Sequence, residues 1–463
     1  MANKYDVIII GAGPGGYVCA IRCAQLGMKV ACVEKNKTLG GTCLNVGCIP
    51  SKAMLHDSEK FEEAKKHLGD IGIKTGNVGL DLKKMIGHKD DVVKANTDGI
   101  EYLFKKNKID HIEGTGKIIE PGRVEVDGKT YEAEDIVIAT GSQVISLPDI
   151  EIDEERIVSS TGALELSEVP KKMAVIGGGY IGLELGTVWR RLGAEVTVIE
   201  FLDRIATGMD SEISGELYKV LKEEGIHFKL GTKLTQAKVN KKSVTLTIEP
   251  AKGGDSETLN VDVVLVAVGR KPNTQGLGLE DAGIETDDKG RIKTDEFFQT
   301  NLEGVYAIGD VIAGPMLAHK AEEEGVILAE MLDGQSGHID YNLVPGVVYT
   351  YPEVASVGKT EDQLKEDGVD YKVGKFPFKA NGRARAMNMT KGFVKILADA
   401  TTDEVLGAHI IGPEAGTLIA EITAVMEFGG TSEDIARTCH AHPTLEEVVK
   451  EAALAVHGRA LHI

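Results

Sequence analysis

The chain has 463 residues, 27% of them charged and 42% hydrophobic, with a net charge of −20. That length suggests about three domains, and the acidic balance argues against a nucleic-acid backbone or an anionic membrane as partner. No apolar run approaches the roughly 18 residues of a membrane span. The run at residues 7–10 is cut off by Gly11 without a small-residue cleavage site, so no signal peptide is expected and the expectation is a soluble, intracellular protein.

Residues 5–10, YDVIII, read as a strand, followed by Gly11-Ala12-Gly13-Pro14-Gly15-Gly16. A helix is expected over 17–26 and a second strand over 28–33, ending on Glu34. This is a β-α-β unit with G-x-G-x-x-G. Gly11 permits the tight turn, Gly13 lets backbone approach a pyrophosphate, and Gly16 lets helix and strand pack closely. The helix N-terminus offers N–H groups and positive dipole to phosphates, and Glu34 is placed to accept from ribose hydroxyls.

Residues 40–52, GGTCLNVGCIPSK, carry Cys43 and Cys48 among glycines. The six cysteines do not follow a secreted disulfide framework or a zinc-type CxxC pair, so no metal site is expected. In a reducing compartment a close pair is more often catalytic than structural. Cys19, Cys23 and Cys32 read as small buried hydrophobes.

Helices are expected over 53–67 and 92–107, and strands over 112–119, 123–126 and 135–139, the last running into Thr140-Gly141-Ser142. The glycine grammar then repeats. A strand at 173–176 precedes Gly177-Gly178-Gly179-Tyr180-Ile181-Gly182, a helix at 183–192 and a strand at 195–199 ending on Glu200. Two such units mean two dinucleotide sites. A carboxylate at Glu200 pairs with free ribose hydroxyls and repels a 2′-phosphate, which favours NAD over NADP; Arg204 is the nearby counter-argument.

Further on, a helix is expected over 211–224, and strands over 244–248 and 261–268. Asp310 closes a short strand and suits a ribityl or ribose hydroxyl. A helix opening at Met316-Leu317-Ala318-His319 presents its N-terminal dipole to an electron-rich ring oxygen. Glu322, Glu323 and Glu324 fall in its first turns, where acids are favourable anyway. Beyond residue 340 a strand pair at 392–399 and 405–412 and a helix at 416–428 suggest an α+β domain. Pro443 is expected at the first position of a terminal helix, with Glu447 one turn in, reaching back to His442 as a general acid/base pair.

Two dinucleotide sites, a close cysteine pair and a His–Glu pair make a pyridine-nucleotide disulfide oxidoreductase the economical reading. The motifs GGTCLNVGCIPSK, ATGS, AIGD, MLAHKAEEEG and HAHPTLEE, with both glycine fingerprints, occur in order over essentially the whole chain. In them the chain resembles the FAD-dependent disulfide reductases of class I, and among these the dihydrolipoamide dehydrogenases. The resemblance implies an α/β fold of two Rossmann-like domains and a C-terminal α+β dimerisation domain: residues 1–145 and 271–340 for FAD, 146–270 for NAD, and 341–463 for the interface.

For FAD the resemblance implies Gly11, Gly13, Gly16, Glu34, Gly41, Thr42, Cys43, Lys52, Gly116, Thr140, Gly141, Ser142, Asp310 and Met316 to His319. For NAD it implies Gly177, Gly179, Tyr180, Ile181, Gly182, Glu184, Glu200, Leu234 and Gly269. Cys48 would face the flavin and Cys43 would exchange with substrate. Lys52 would pair with Glu184, and His442, held by Glu447 and contributed by the other subunit, would move the proton. His442–Pro443 is a candidate cis bond.

The implied activity is oxidation of protein-bound dihydrolipoamide to lipoamide with NAD+ as acceptor. The implied partners are a second copy of the chain and the lipoyl domains of a 2-oxo acid dehydrogenase E2 or a glycine-cleavage H protein. Neither nucleic acid nor membrane is implied. Tyr180 is a departure from the usual small aliphatic residue and keeps an NADPH-dependent reductase of a small disulfide as the alternative. The absence of an extra cysteine pair at the C-terminus argues against mercuric reductase and large thioredoxin reductase. Met1 just ahead of the first strand suggests the cytoplasm, or the mitochondrial matrix for a matured eukaryotic form, and no fused lipoyl or peripheral docking domain.

Overall fold

The computed structural model describes residues 4–463, so Met1 and the next two residues of the expected first unit lie outside it. The chain opens with β1 (Lys4–Ile10), α1 (Pro14–Gln25) and β2 (Val30–Glu34). Nearly every side chain of β1 and β2 is buried, as expected of parallel strands covered on both faces. Next come α2 (Gly41–Val46), α3 (Cys48–Glu62) and α4 (Leu82–Asn107). Both of the longer helices begin earlier than the periodicity suggests. In α3, Pro50 falls in the first turn, where a missing N–H costs nothing. In α4, the Asp81 carboxylate caps the start by accepting the Lys84 N–H at 3.1 Å.

Gly114, at φ +145°, splits the strand expected over 112–119 into β3 (Asp110–Glu113) and β4 (Gly116–Glu120). β5 (Arg123–Val126) and the long β6 (Lys129–Ile138) follow. The main sheet runs in the order β3-β2-β1-β6, and the first half of β6 turns aside to pair antiparallel with β5.

A short strand, β7 (Ser142–Val144), carries the chain into a second unit of the same plan. It comprises β8 (Ile157–Val158), α5 (Ser160–Ala163), β9 (Lys172–Ile176), α6 (Tyr180–Leu192), β10 (Glu195–Ile199), α7 (Ser211–Glu223) and β11 (His227–Lys229). An antiparallel meander of β12 (Thr232–Val239), β13 (Val244–Pro250) and β14 (Glu257–Val261) follows, then β15 (Val263–Val266). The run expected as one strand over 261–268 is therefore divided between two sheets. The parallel sheet has the order β11-β10-β9-β15-β8.

The chain returns through β16 (Arg270–Pro272), which pairs antiparallel with β7. Both crossings between the units thus lie side by side in one ribbon. α8 (Leu279–Ala282) and β17 (Val305–Ala307) follow, and β17 adds to the first sheet beside β6. α9 (Ala318–Leu332) then packs along α1, where Gly325 brings the backbones so close that a Cβ would lie 2.7 Å from the Gly15 carbonyl oxygen.

The last unit contains β18 (Gly346–Val348), β19 (Glu353–Gly358), α10 (Glu361–Asp367), β20 (Tyr371–Pro377), α11 (Gly382–Ala386), β21 (Phe393–Asp399), β22 (Val405–Gly412), α12 (Ala415–Glu427), α13 (Ser432–Arg437) and α14 (Glu447–Ala455). Its antiparallel sheet runs β18-β19-β22-β21-β20, and Phe376, Ile396, Ile422 and Val448 share its core. The expected hairpin is β21–β22. Among the described residues no helix is long and apolar enough to cross a membrane.

Candidate active site

The two glycine turns are built alike. Gly11 and Gly177 both have φ +106°, and a Cβ on either would stand 2.4 Å from a carbonyl oxygen of the neighbouring strand end, Ala139 or Ala267. No other residue fits there. Gly13 and Gly179 cap α1 and α6. Around Gly179 a Cβ would meet nothing within 4 Å, and around Gly13 only Gly41 Cα at 4.0 Å, so the backbone at each helix start is open to close approach by an anion.

Each turn is tied to the acid at the end of its second strand. Glu34 Oε2 accepts the Ala12 N–H at 2.9 Å, and Oε1 accepts from Asn36 N at 3.0 Å and Asn36 Nδ2 at 2.9 Å. Glu200 Oε2 accepts the Gly178 N–H at 2.6 Å and Oε1 the Leu202 N–H at 2.8 Å. Glu200 lines a cleft of about 360 Å³ with Gly177, Gly179, Tyr180, Ile181, Gly269 and Arg270. Gly182 packs its helix against the Gly177 carbonyl, as Gly16 does against Gly11. Arg204 points elsewhere: it donates to the Thr207 carbonyl at 3.3 Å and lies 3.7 Å from Asp362. Leu234 is not among the residues lining the cleft; it lies on β12 and packs against the core of the second unit.

The cysteine segment sits where the units meet. Gly40, at φ +98°, starts α2, and Gly47 breaks it from α3. Cys43 lies on α2 and Cys48 is the first residue of α3. Both are half-buried free thiols. Hydrogen bonding from Cys43, helped by the Lys52 ammonium one turn along α3, draws the Cys48 thiol down to about 7 against the opposing effect of burial. The same hydrogen bond, together with burial, pushes the Cys43 thiol up. The pair is therefore chemically unequal, with the thiolate favoured on Cys48.

Lys52 Nζ lies 2.8 Å from Glu184 Oε2 and 4.5 Å from the centre of the Tyr349 ring. The second oxygen of Glu184, a residue 5% exposed, accepts the Tyr349 N–H at 3.0 Å. Elements of all three units thus meet within one ion pair of Cys48. Two further links bind α3 to α6: Arg190 pairs with Glu62, and Arg191 donates to the Leu55 carbonyl at 3.1 Å.

Asp310 is held over the ribbon between the units. Ser142 Oγ donates to Asp310, and Arg270 grips Ser142 twice, through its hydroxyl and its carbonyl, at 2.7 Å each. Thr140 Oγ1 donates to the Asn273 carbonyl at 2.7 Å, closing the same ribbon. Gly141 takes φ +71° at this corner. The helix expected to open at Met316 starts at Ala318, after the extended Leu317, and His319 Nε2 lies 2.8 Å from the Pro345 carbonyl. Gly116 is buried against Ile10 and Val33, while Gly41 backs onto Gly13. Thr42 lies on α2 between Gly41 and Cys43.

His442 Nδ1 lies 2.9 Å from Glu447 Oε1, and the other oxygen of Glu447 accepts the Thr444 N–H at 2.9 Å. Burial acts against the Glu447 charge, but the Thr444 and His442 bonds outweigh it and hold the carboxyl below its usual range. The His442–Pro443 bond is cis. Pro443 does not open the terminal helix: α14 begins at Glu447 itself, after the turn in which Thr444 N–H reaches forward to the Glu447 carboxylate. The His442 side chain is 78% exposed and makes no hydrogen bond or ion pair with the cysteine pair of its own chain.

Sequence reasoning missed Arg270, Tyr349 and the buried role of Glu324. Arg270 directly follows the glycine turn at Gly269, which was the available signal. Nothing in the sequence marked Tyr349. Glu324 is fully buried against Lys320, so the reading of all three acids as simply helix-compatible fails for it.

Residues 5–325 match the family Pyridine nucleotide-disulphide oxidoreductase, and residues 344–453 match its dimerisation domain. The chain belongs to the pyridine nucleotide-disulphide oxidoreductase family. Among curated members, the mitochondrial dihydrolipoyl dehydrogenase of Pisum sativum is 55% identical over 469 residues, covering 100% of this chain and 93% of that protein. Dihydrolipoyl dehydrogenase 3 of Pseudomonas putida is 54% identical over 467 residues, covering 100% of both. Among solved members, the HOCl-induced flavoprotein disulfide reductase of Escherichia coli superposes with a TM-score of 0.86 at 28% identity, over 96% of this chain and 99% of that one. As a disulphide oxidoreductase with the family's dimerisation domain, this protein is a homodimer.

Proposed function

We propose that the protein is a dihydrolipoamide dehydrogenase, oxidising protein-bound dihydrolipoamide to lipoamide with NAD+ as final acceptor. The observation that carries the reading is the Cys43–Cys48 pair on α2 and α3, with Lys52 of α3 paired to Glu184 of α6, the helix that Gly179 caps. The full-length similarity to curated dihydrolipoyl dehydrogenases supports it.

FAD and NAD are the cofactors. Residues 4–145 and 271–340 form the FAD part, 146–270 the NAD part and 341–463 the interface part, with the two changes of domain at the β7–β16 ribbon. The open space at Gly13, the tethered Glu34, the Ser142–Asp310 pair and the start of α9 fit a flavin dinucleotide. The cleft with Gly179 and Glu200 fits NAD, and Arg204, the cation nearest Glu200 in sequence, is engaged with Thr207 and Asp362. Bound FAD would supply the two-electron relay between the dithiol and the nicotinamide.

The chain's own residues do the rest. His442 of one subunit, oriented by Glu447, accepts a proton from one substrate thiol. The resulting thiolate attacks Cys43 Sγ of the oxidised Cys43–Cys48 disulfide, forming a mixed disulfide and releasing Cys48 as thiolate. The second substrate thiol, losing its proton to solvent, attacks the substrate sulfur of the mixed disulfide; Cys43 leaves, taking back the proton held by His442, and the substrate departs as the cyclic disulfide. Lys52 favours the Cys48 thiolate once it is released.

The partners on this reading are lipoyl domains of a 2-oxo acid dehydrogenase E2 or a glycine-cleavage H protein. The compartment is the cytoplasm, or the mitochondrial matrix for a eukaryotic form, as the name of the pea relative suggests for the latter. Anaerobic titration with dihydrolipoamide tests the function. A long-wavelength thiolate–flavin band is expected, absent in Cys48→Ser and discharged by NAD+. Discharge by NADP+ in preference would favour reduction of a small disulfide instead.

A further inference from the structure

Gly309 immediately precedes Asp310 and has φ +77°. Neither of its backbone groups is left to solvent: its N–H donates to Glu324 Oε2 at 2.7 Å, and its carbonyl accepts from Lys320 Nζ at 3.0 Å. Lys320 and Glu324 stand one turn apart on α9, 2.8 Å from each other, and both side chains are wholly buried. Tyr341, at the entry to the C-terminal unit, donates its hydroxyl to the remaining Glu324 oxygen at 2.7 Å.

We propose that Lys320, Glu324 and Tyr341 form a positioning clamp that fixes Asp310 relative to the N-terminus of α9 and ties retention of the flavin to the seating of the C-terminal unit. The inference rests on the reading of Asp310 and α9 as parts of the FAD site. Those two parts come from different elements, the short 3-10 turn Gly309–Val311 behind β17 and a helix start, and would address different portions of one ligand. Their separation has to be set by something rigid. A charged pair in a dry interior is costly unless every lone pair and proton is used. Here the pair spends its bonds on the two consecutive peptide units that flank the Gly309 Cα, the second of which leads into the ligand-facing aspartate. A hydrophobic pair would fill the same space but would leave the Gly309 N–H without a partner and its carbonyl with only the Ile312 N–H at 3.3 Å.

Two variants test the clamp. Tyr341→Phe removes one hydroxyl from a partly exposed ring. The double variant Lys320→Met/Glu324→Leu removes both charges together, so no unpaired buried charge is left to prevent folding. Each is purified as holoenzyme, and FAD release is followed by the recovery of flavin fluorescence on dilution, alongside the thermal midpoint of the apoprotein. Release about tenfold faster in Tyr341→Phe, and faster still in the double variant, with apoprotein midpoints near wild type, is expected. Wild-type release rates in both variants, or loss confined to the apoprotein midpoint, would overturn the clamp while leaving the cofactor reading intact. A wild-type protein that binds no FAD would overturn that reading itself, and the clamp with it.

Discussion

Lys52, on the helix that begins at Cys48, lies 2.8 Å from Glu184, on the helix that begins behind the second glycine turn. One ion pair thus joins the redox segment to the nucleotide unit. Glu184 is 5% exposed and Lys52 is partly open, so the pair works in a medium where charge is weakly screened.

Replacing Lys52 with Met should raise the Cys48 thiol towards its ordinary value. After Cys43, Lys52 is the main group holding it down, and Glu184 acts in the opposite sense. At pH 7 the thiolate population of the reduced enzyme should fall; a rise of one unit of pKa would take it from about one half to about one tenth. Glu184→Gln should instead leave more thiolate. Ultraviolet thiolate absorbance against pH reads both, and an unchanged profile in Lys52→Met would refute the assignment.

His442→Gln should lower turnover with dihydrolipoamide about 100- to 10,000-fold, the usual range for losing a positioned general base. Reduction of an artificial one-electron acceptor by NADH needs no proton from the dithiol and should stay near wild type. Glu447→Gln should fall between the two, because it removes orientation and charge support but leaves the imidazole. Because the His442 side chain is 78% exposed in the single chain, mixing inactive Cys43→Ser with inactive His442→Gln subunits should restore part of the activity in heterodimers.

Lys395, 1% exposed by side chain, lies 3.1 Å from the fully buried Asp210 and ties β21 to the start of α7. Lys395→Met leaves that buried carboxylate with only the Glu212 and Glu361 N–H groups and no cation, and should cost about 3–5 kcal/mol, read as a lowered thermal midpoint. Burial opposes the Asp210 charge, yet His409 and Lys395 hold its carboxyl below the ordinary range. A depressed carboxyl adds stability above its unfolded value and loses it as pH falls through the folded one. The wild type should therefore keep this increment at neutral pH and lose it only below about pH 4. The Lys395→Met penalty should shrink over that same acid range.

Much of the fold was legible because local rules carry it. Buried parallel strands read as runs such as VIII, and the glycine turns announce themselves by residues that no side chain can replace. Boundaries were less legible where one residue overrides periodicity. Asp81 starts α4 early, Gly114 cuts a strand in two, and the Thr444–Glu447 turn precedes an α14 that starts only at Glu447. The meander of β12 to β14 went largely unseen because its outer strands are half-exposed and mostly polar.

The sequence alone determined the two nucleotide turns, their acids, the cysteine pair and the His–Glu pair, because each is a short-range pattern whose chemistry depends on residue type and spacing. Only the tertiary structure decided how these are joined. Arg270 reaches Asp310 through Ser142, Tyr349 closes on Glu184, and Lys320 with Glu324 seizes Gly309. Most of these contacts link residues far apart in the chain, and a buried charge declares its partner only when the low-dielectric interior around it has formed.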